Sequence, residues 1–352
     1  MRLQLSIITA LFICLLSLPA YSQVVWEEEM SRASEETSLA RPLALGEAYT
    51  AIAEGIGALV YNPAGMSSKV HYEIGIASQF RPTGGAMSFT GAIVDSVTSP
   101  VSAGIMYTFQ QYDAKQFWND EDLAWLGLHP IYTEQAKEVT TNYDSTNENE
   151  ATGYRKMFSQ LKDGLIQRHV ARLALGGSIT PNVHIGLLGK YLYATRPMRH
   201  DVNVGNVDAG MLFTTDIGLR FGIVGQNLIH TSYNNLPLRV VGAIGFSLTD
   251  ELYIDYDQVI VFDVYDERTP DDEQYIYKHK KAELAYRFGI EYIVLKATAI
   301  RAGYQYDDTT EQHYVSGGFA YIHEAFSISA SYKQAMPHYN DRTIGLAVDF
   351  KL

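Results

Sequence analysis

The residues of this chain that could do chemistry are numerous but never grouped. Ten histidines are scattered along 352 residues, and none has the His-Glu-x-x-His spacing that sets two imidazoles and a general base on one helical face. The single cysteine, Cys14, lies inside the apolar stretch Leu5 to Leu18. Beyond it the chain has no thiol to serve as nucleophile, metal ligand or disulfide partner. There is no Gly-x-Ser-x-Gly elbow and no phosphate loop; Gly55-Ile56-Gly57 lacks the residues that continue one and reads as backbone freedom. No cofactor or metal is expected, and solution catalysis is not the expected trade. A site assembled from separate strands would leave no spacing signature.

What remains is recognition chemistry. Phe117, Trp118, Trp125 and Leu126 lie among Asp120, Glu121 and Asp122 in one long insertion. Such a cluster either captures an apolar ligand or packs a lid over the mouth of the fold. Arg172, Lys190 and Arg220 sit on polar faces of predicted strands, where they would meet a ligand carboxylate or acidic neighbours such as Asp216 and Glu283. His184 shares such a face, where a hydrogen bond is the expected role. The net charge of -13 argues against a nucleic-acid partner.

The elements that must carry these groups begin after a leader. Arg2, the apolar run Leu5 to Leu18 and the small residues Ala20 and Ser22 fit a signal peptide over 1–22, cleaved before Gln23. Downstream, no segment approaches the about 18 consecutive apolar residues of a spanning helix. Mean hydropathy is -0.09, yet aromatics make up 12% and Tyr alone numbers 25 against 3 Trp. Strands that alternate lipid-facing with lumen-facing residues cancel in the mean, and tyrosine suits the headgroup boundary.

Residues 23–68 differ from everything that follows. Glu27, Glu28, Glu29, Glu35 and Glu36 crowd a polar lead-in. Small residues then dominate from Arg41 to Glu54, and the spacing of Ala48, Ala51 and Ile52 predicts a short helix before Gly55. A turn is expected at Asn62, Pro63, Ala64 and Gly65.

From residue 70 onward the period is two. Val183, Ile185, Leu187, Tyr191 and Tyr193 fall on one face, with His184, Gly186 and Lys190 on the other. Ile344, Leu346, Val348, Phe350 and Leu352 repeat the pattern against Asp349 and Lys351. About fourteen strands follow, near 70–80, 85–95, 100–111, 168–179, 183–194, 204–214, 217–228, 238–248, 251–264, 280–293, 298–307, 312–322, 325–335 and 342–352. Links after even-numbered strands are short. Most links after odd-numbered strands are longer, above all 112–167, which is expected to be an extracellular loop. That sorting predicts an all-β fold: a transmembrane antiparallel β-barrel over 69–352, with short turns in the periplasm, long loops outside and residues 23–68 as a hatch in the lumen.

The stretch Leu45-Gly46-Glu47-Ala48-Tyr49-Thr50-Ala51-Ile52-Ala53-Glu54 and the run Tyr61-Asn62-Pro63-Ala64-Gly65-Met66 resemble the amino-terminal hatch of FadL-type outer-membrane transporters and their PorV/PorQ-like relatives. A second stretch, Val207 to Phe213 with Gly222 to Leu228, is similar to a hairpin of the PorV-like branch. The resemblance implies an outer-membrane channel of a Gram-negative-type bacterium for hydrophobic molecules such as long-chain fatty acids. Asn62, Pro63, Ala64 and Gly65 would form its hatch turn, as structure rather than as ligand contacts. The PorV-like branch would imply instead a subunit for secreting proteins or anchoring them at the surface. Implied partners are outer-membrane lipid, hydrophobic small molecules and, for that branch, secretion-system proteins.

Overall fold

The computed structural model describes residues 39–82, 86–113, 165–195, 201–229, 236–249, 251–266, 278–295, 297–307, 312–336 and 342–352. The expected leader, the first part of the hatch and the aromatic cluster Phe117, Trp118, Trp125 and Leu126 lie outside them.

Alternation turns the sequence into wall. Fourteen antiparallel strands form one closed barrel, each paired with its sequence neighbours. They are β1 (Tyr72–Arg81), β2 (Ala86–Asp95), β3 (Val101–Asp113), β4 (Leu165–Thr180), β5 (Val183–Thr195), β6 (Val202–Thr214) and β7 (Leu219–Gln226), then β8 (Arg239–Ser247), β9 (Leu252–Asp266), β10 (Lys278–Val294), β11 (Thr298–Asp307), β12 (Gln312–Ile322), β13 (Phe326–Met336) and β14 (Arg342–Lys351). The cylinder closes where β14 meets β1, in a register from Glu73 opposite Lys351 to Phe80 opposite Ile344. Every strand has a partner on both sides, although β6 pairs with β7 only from Ala209 to Thr214, so most ladder hydrogen bonds are satisfied inside the wall, as hydrocarbon requires.

Side chains sort by parity. On β5, Leu187 and Tyr191 are more than half exposed on the outside, while His184, Leu188 and Leu192 are buried inside. Ile76, Phe89, Ile105, Leu173, Ile223, Ile300 and Leu346 extend the apolar outer face around the wall. An apolar surface this continuous is one that lipid, not water, must cover. Among the described residues no helix is long and apolar enough to cross a membrane.

Strand ends differ from expectation at a few points. β3 runs on to Asp113 and β4 starts at Leu165. The long insertion is therefore 114–164 rather than 112–167, because the ladder between these strands continues past the length that alternation alone marks. β7 is shorter than expected at both ends. Asn227 and Leu228 leave the ladder: the Asn227 backbone donates to Asp208 Oδ1 at 2.7 Å, and Leu228 N donates to Val207 O at 2.9 Å.

Residues 39–68 lie within the cylinder and touch its wall on nearly all sides. They form helix α1 (Ala40–Ala44), a 3-10 turn (Gly55–Gly57), helix α2 (Ala58–Tyr61) and a second 3-10 turn (Pro63–Ser67). The helix predicted around Ala48–Ile52 is absent. Gly46 and Glu47 both have positive φ, +62° and +65°, and the amides of Tyr49 and Thr50 donate to the Asp257 carboxylate rather than along a helix. The largest apolar core lies where this segment meets the wall, with Leu59 and Met66 packed against Val94, Met106 and Leu188. Each such side chain contributes roughly 1.5–3 kcal/mol by leaving water.

Close packing is possible because the wall presents glycine wherever the inner segment comes nearest. A Cβ on Gly303 of β11 would lie 2.0 Å from Gly46 N, and one on Gly186 of β5 would lie 2.3 Å from the Pro63 carbonyl carbon. Gly222 on β7 meets the Thr50 backbone in the same way. No side chain larger than hydrogen fits such approaches.

Candidate functional site

The inner segment divides the bore into a long-loop side and a short-turn side, and charged contacts hold it on both. On the long-loop side, the left-handed turn at Gly46 and Glu47 pushes the Glu47 carboxylate into the wall. It pairs there with Lys333 of β13 and, at 3.5 Å, with Arg287 of β10. Lys333 also donates to Gln305 Oε1 at 2.7 Å and lies 4.5 Å from the Tyr314 ring centre. Glu47 is only 1% exposed. A carboxylate so buried persists only while its cations stay in place.

Asp257 of β9 accepts from the backbone amides of Tyr49 (3.2 Å) and Thr50 (3.0 Å). Asn62 completes this layer. Its Oδ1 accepts from Ala64 N at 3.2 Å and caps the second 3-10 turn, in which Pro63 takes a first-turn position where its missing N–H costs nothing. Its Nδ2 donates to Thr50 O at 3.1 Å and to Met211 O of β6 at 3.2 Å. Asn62, Pro63, Ala64 and Gly65 are all buried between wall and segment. Among the described residues, one pocket on this side has about 20 Å³ and is walled chiefly by Thr50, Tyr61, Arg172, Lys190, Arg239 and Arg287. It is the size of a water molecule.

On the short-turn side, Arg41 of α1 donates to both oxygens of Glu291 on β10, at 2.7 and 3.1 Å, and to Glu54 at 2.6 Å. Glu291 also accepts from Arg301 of β11, and Glu54 pairs with Lys69. Burial alone would raise the Glu54 carboxyl, but Arg41 and Lys69 outweigh it and hold the group well below the usual carboxylate range. Burial likewise works against charge on Arg41; Glu291, Tyr49 and Glu54 reverse this and keep the guanidinium charged. Burial pushes the phenols of Tyr49 and Tyr61 up, so both stay neutral. Below these contacts opens a cavity of about 550 Å³, bounded by the segment and by the short-turn ends of the strands.

The strand residues singled out from sequence fall in different places. Lys190 faces the lumen and pairs with an acidic lumen residue, Asp208, at 3.0 Å. Arg172 also faces the lumen, donating to Thr108 Oγ1 at 3.4 Å. Arg220 faces the short-turn cavity. His184 lies 2.8 Å from Ser178 Oγ, in a hydrogen bond. Asp257, Arg287, Glu291 and Lys333 went unremarked in the sequence and Glu47 stood out only as part of the hatch-like stretch; their signal is an inward position on a strand or in the inner segment. Among the described residues no group of His, Cys, Asp or Glu could hold a metal ion.

No protein-family model matches the chain, and no curated protein matches it significantly. Its fold does have solved counterparts. The Ralstonia pickettii toluene transporter TbuX aligns over 91% of this chain and 99% of its own, with a TM-score of 0.58 at 12% identity. A Pseudomonas aeruginosa FadL homologue aligns over 89% and 98%, with a TM-score of 0.58 at 10% identity. The P. putida toluene transporter TodX aligns over 84% and 94%, with a TM-score of 0.50 at 11% identity. The chain thus has the fold of these outer-membrane barrels.

Proposed function

We propose that this protein is an outer-membrane channel for hydrophobic molecules, long-chain fatty acids among them, in a Gram-negative-type bacterium. The observation that carries the reading is a lipid-facing closed barrel whose bore is occupied by residues 39–68 and held there by ion pairs at both faces. Such contacts can be exchanged for others without chemistry, which is what a hatch requires. The fold shared with TbuX, TodX and a FadL homologue supports the same reading.

Capture needs only apolar surface. Each CH2 of an acyl chain gains about 0.8 kcal/mol on leaving water, and Phe117, Trp118, Trp125 and Leu126 in the long insertion would supply that surface. Passage then follows from displacement of the hatch, with Asn62, Pro63, Ala64 and Gly65 as the turn that anchors it. The test is uptake of radiolabelled oleate by cells with and without the gene. Loss of uptake on deletion, restored by the intact gene, is the expected result; unchanged uptake would overturn the reading.

A second reading is favoured by one observation: ion pairs tie the segment to β10 and β13 on both its long-loop and its short-turn face, as expected of a filled barrel that supports a partner rather than a flux. In that case the protein is a subunit for secretion or surface anchoring, as in the PorV-like branch. A pull-down from native membranes separates the two, since only the second predicts stoichiometric capture of large secretion-system proteins.

A further inference from the structure

The 550 Å³ cavity on the short-turn side has no part in the capture scheme above, yet it has the volume of a small-molecule site. Much of its wall is apolar, from Ile52 and Ile56 of the inner segment to Ile293 and Ile322 at strand ends. Three of its four lining carboxylates are already engaged. Glu54 is held by Arg41 and Lys69, Glu291 by Arg41 and Arg301, and Glu73 by His71 and the Ile56 amide. Asp349 accepts from Ser327 Oγ at 3.1 Å through one oxygen, and its other oxygen has no hydrogen-bond partner among the described residues.

Arg220, at the base of β7, is different. It lines the cavity but makes no side-chain hydrogen bond or ion pair among the described residues. It attracts Asp255 through space, but that carboxylate is buried beside Ile52 and is not part of the lining. A guanidinium lacking a hydrogen-bonded anion at the edge of an apolar cavity is half of a carboxylate-binding site.

We infer that the short-turn cavity binds an amphipathic carboxylate, its alkyl chain against Ile52, Ile56 and Ile293 and its head group on Arg220. The inference rests on the transport reading and extends it: a ligand that has passed the hatch is held once more, on the periplasmic side, before release. Because the carboxylate supplies a charge-assisted pair, the matching alcohol should bind about tenfold more weakly. Binding must also be weak enough to let the ligand leave, which a single exposed ion pair permits.

The test uses full-length protein in phosphatidylethanolamine–phosphatidylglycerol nanodiscs and a decanoate bearing a terminal diazirine, with adducts mapped by mass spectrometry. Adducts within 49–57, 219–221, 251–254 and 291–293 are expected, and about tenfold less labelling with the diazirine alcohol or with Arg220→Gln. Ile293→Trp, which fills the cavity without touching a charge, should reduce labelling by both probes; heat-shifted electrophoretic mobility confirms that each variant folds. Adducts confined to other regions, or equal labelling by acid and alcohol, would overturn the inference. Uptake of the same decanoate is measured in parallel. Cavity labelling without uptake retains the site and removes transport; uptake without cavity labelling retains transport and removes the site.

Discussion

Two pockets among the described residues border the inner segment and differ in size, one of about 20 Å³ towards the long loops and one of about 550 Å³ towards the short turns. Charge is plentiful on both sides, but it is deployed differently. Glu47 is sunk between wall cations at 1% exposure, whereas Arg41 is a quarter exposed and stands at the edge of open space. Desolvated pairs collapse when one member is lost, while solvated ones are replaced by water. The long-loop face is therefore the seal, and the short-turn face is a latch beside a chamber.

The largest effect that would break this contrast is loss of the seal. Glu47→Ala strands Lys333 and Arg287 and should cost about 3–5 kcal/mol in urea unfolding followed by tryptophan fluorescence. Arg41→Ala should cost clearly less, because Arg301 still holds Glu291; equal losses would show that the two faces are alike. Next comes Gly303→Ala, which drives a methyl into the Gly46 backbone. A loss of about 1–3 kcal/mol is expected, together with faster proteolysis of residues 39–68. Asn62→Ala removes a cap and two further hydrogen bonds, and at least about 1 kcal/mol should go with it.

Acid gives the smallest and most selective effect. Glu54 has its folded pKa depressed by Arg41 and Lys69, so its contribution is fully present above the ordinary carboxylate range and is lost as pH falls through the depressed folded value. Single-channel recordings should therefore show the short-turn latch unchanged in mild acid and weakened only in strong acid. Weakening near pH 6 would point to a different group.

The wall was legible because its rule is local. Alternation marks a strand in ten residues, and short links after β2, β4, β6, β8, β10 and β12 need no partner to be seen. The contents of the bore obey a different rule. Arg41 meets Glu291 across 250 positions and Glu47 meets Lys333 across 286, so no spacing in the chain announces either pair. The helix expected near Ala48 failed for the same reason: a carboxylate on β9 claimed the amides that would have begun it. Leu188 and Leu192, apolar yet pointing inward, show that parts of the lumen are packed rather than wet.

The inward glycines have a consequence for how such a chain can diverge. A methyl at Gly186 is forbidden because Pro63 and Ala64 stand opposite, and one at Gly303 chiefly because Leu45 and Gly46 do. Tolerance at one site is thus written by the residue facing it, and an Ala there should be harmless in a version whose interior strand of chain has been pared back. Mutational scans that treat barrel and contents as independent will misjudge both, since the two must drift in step.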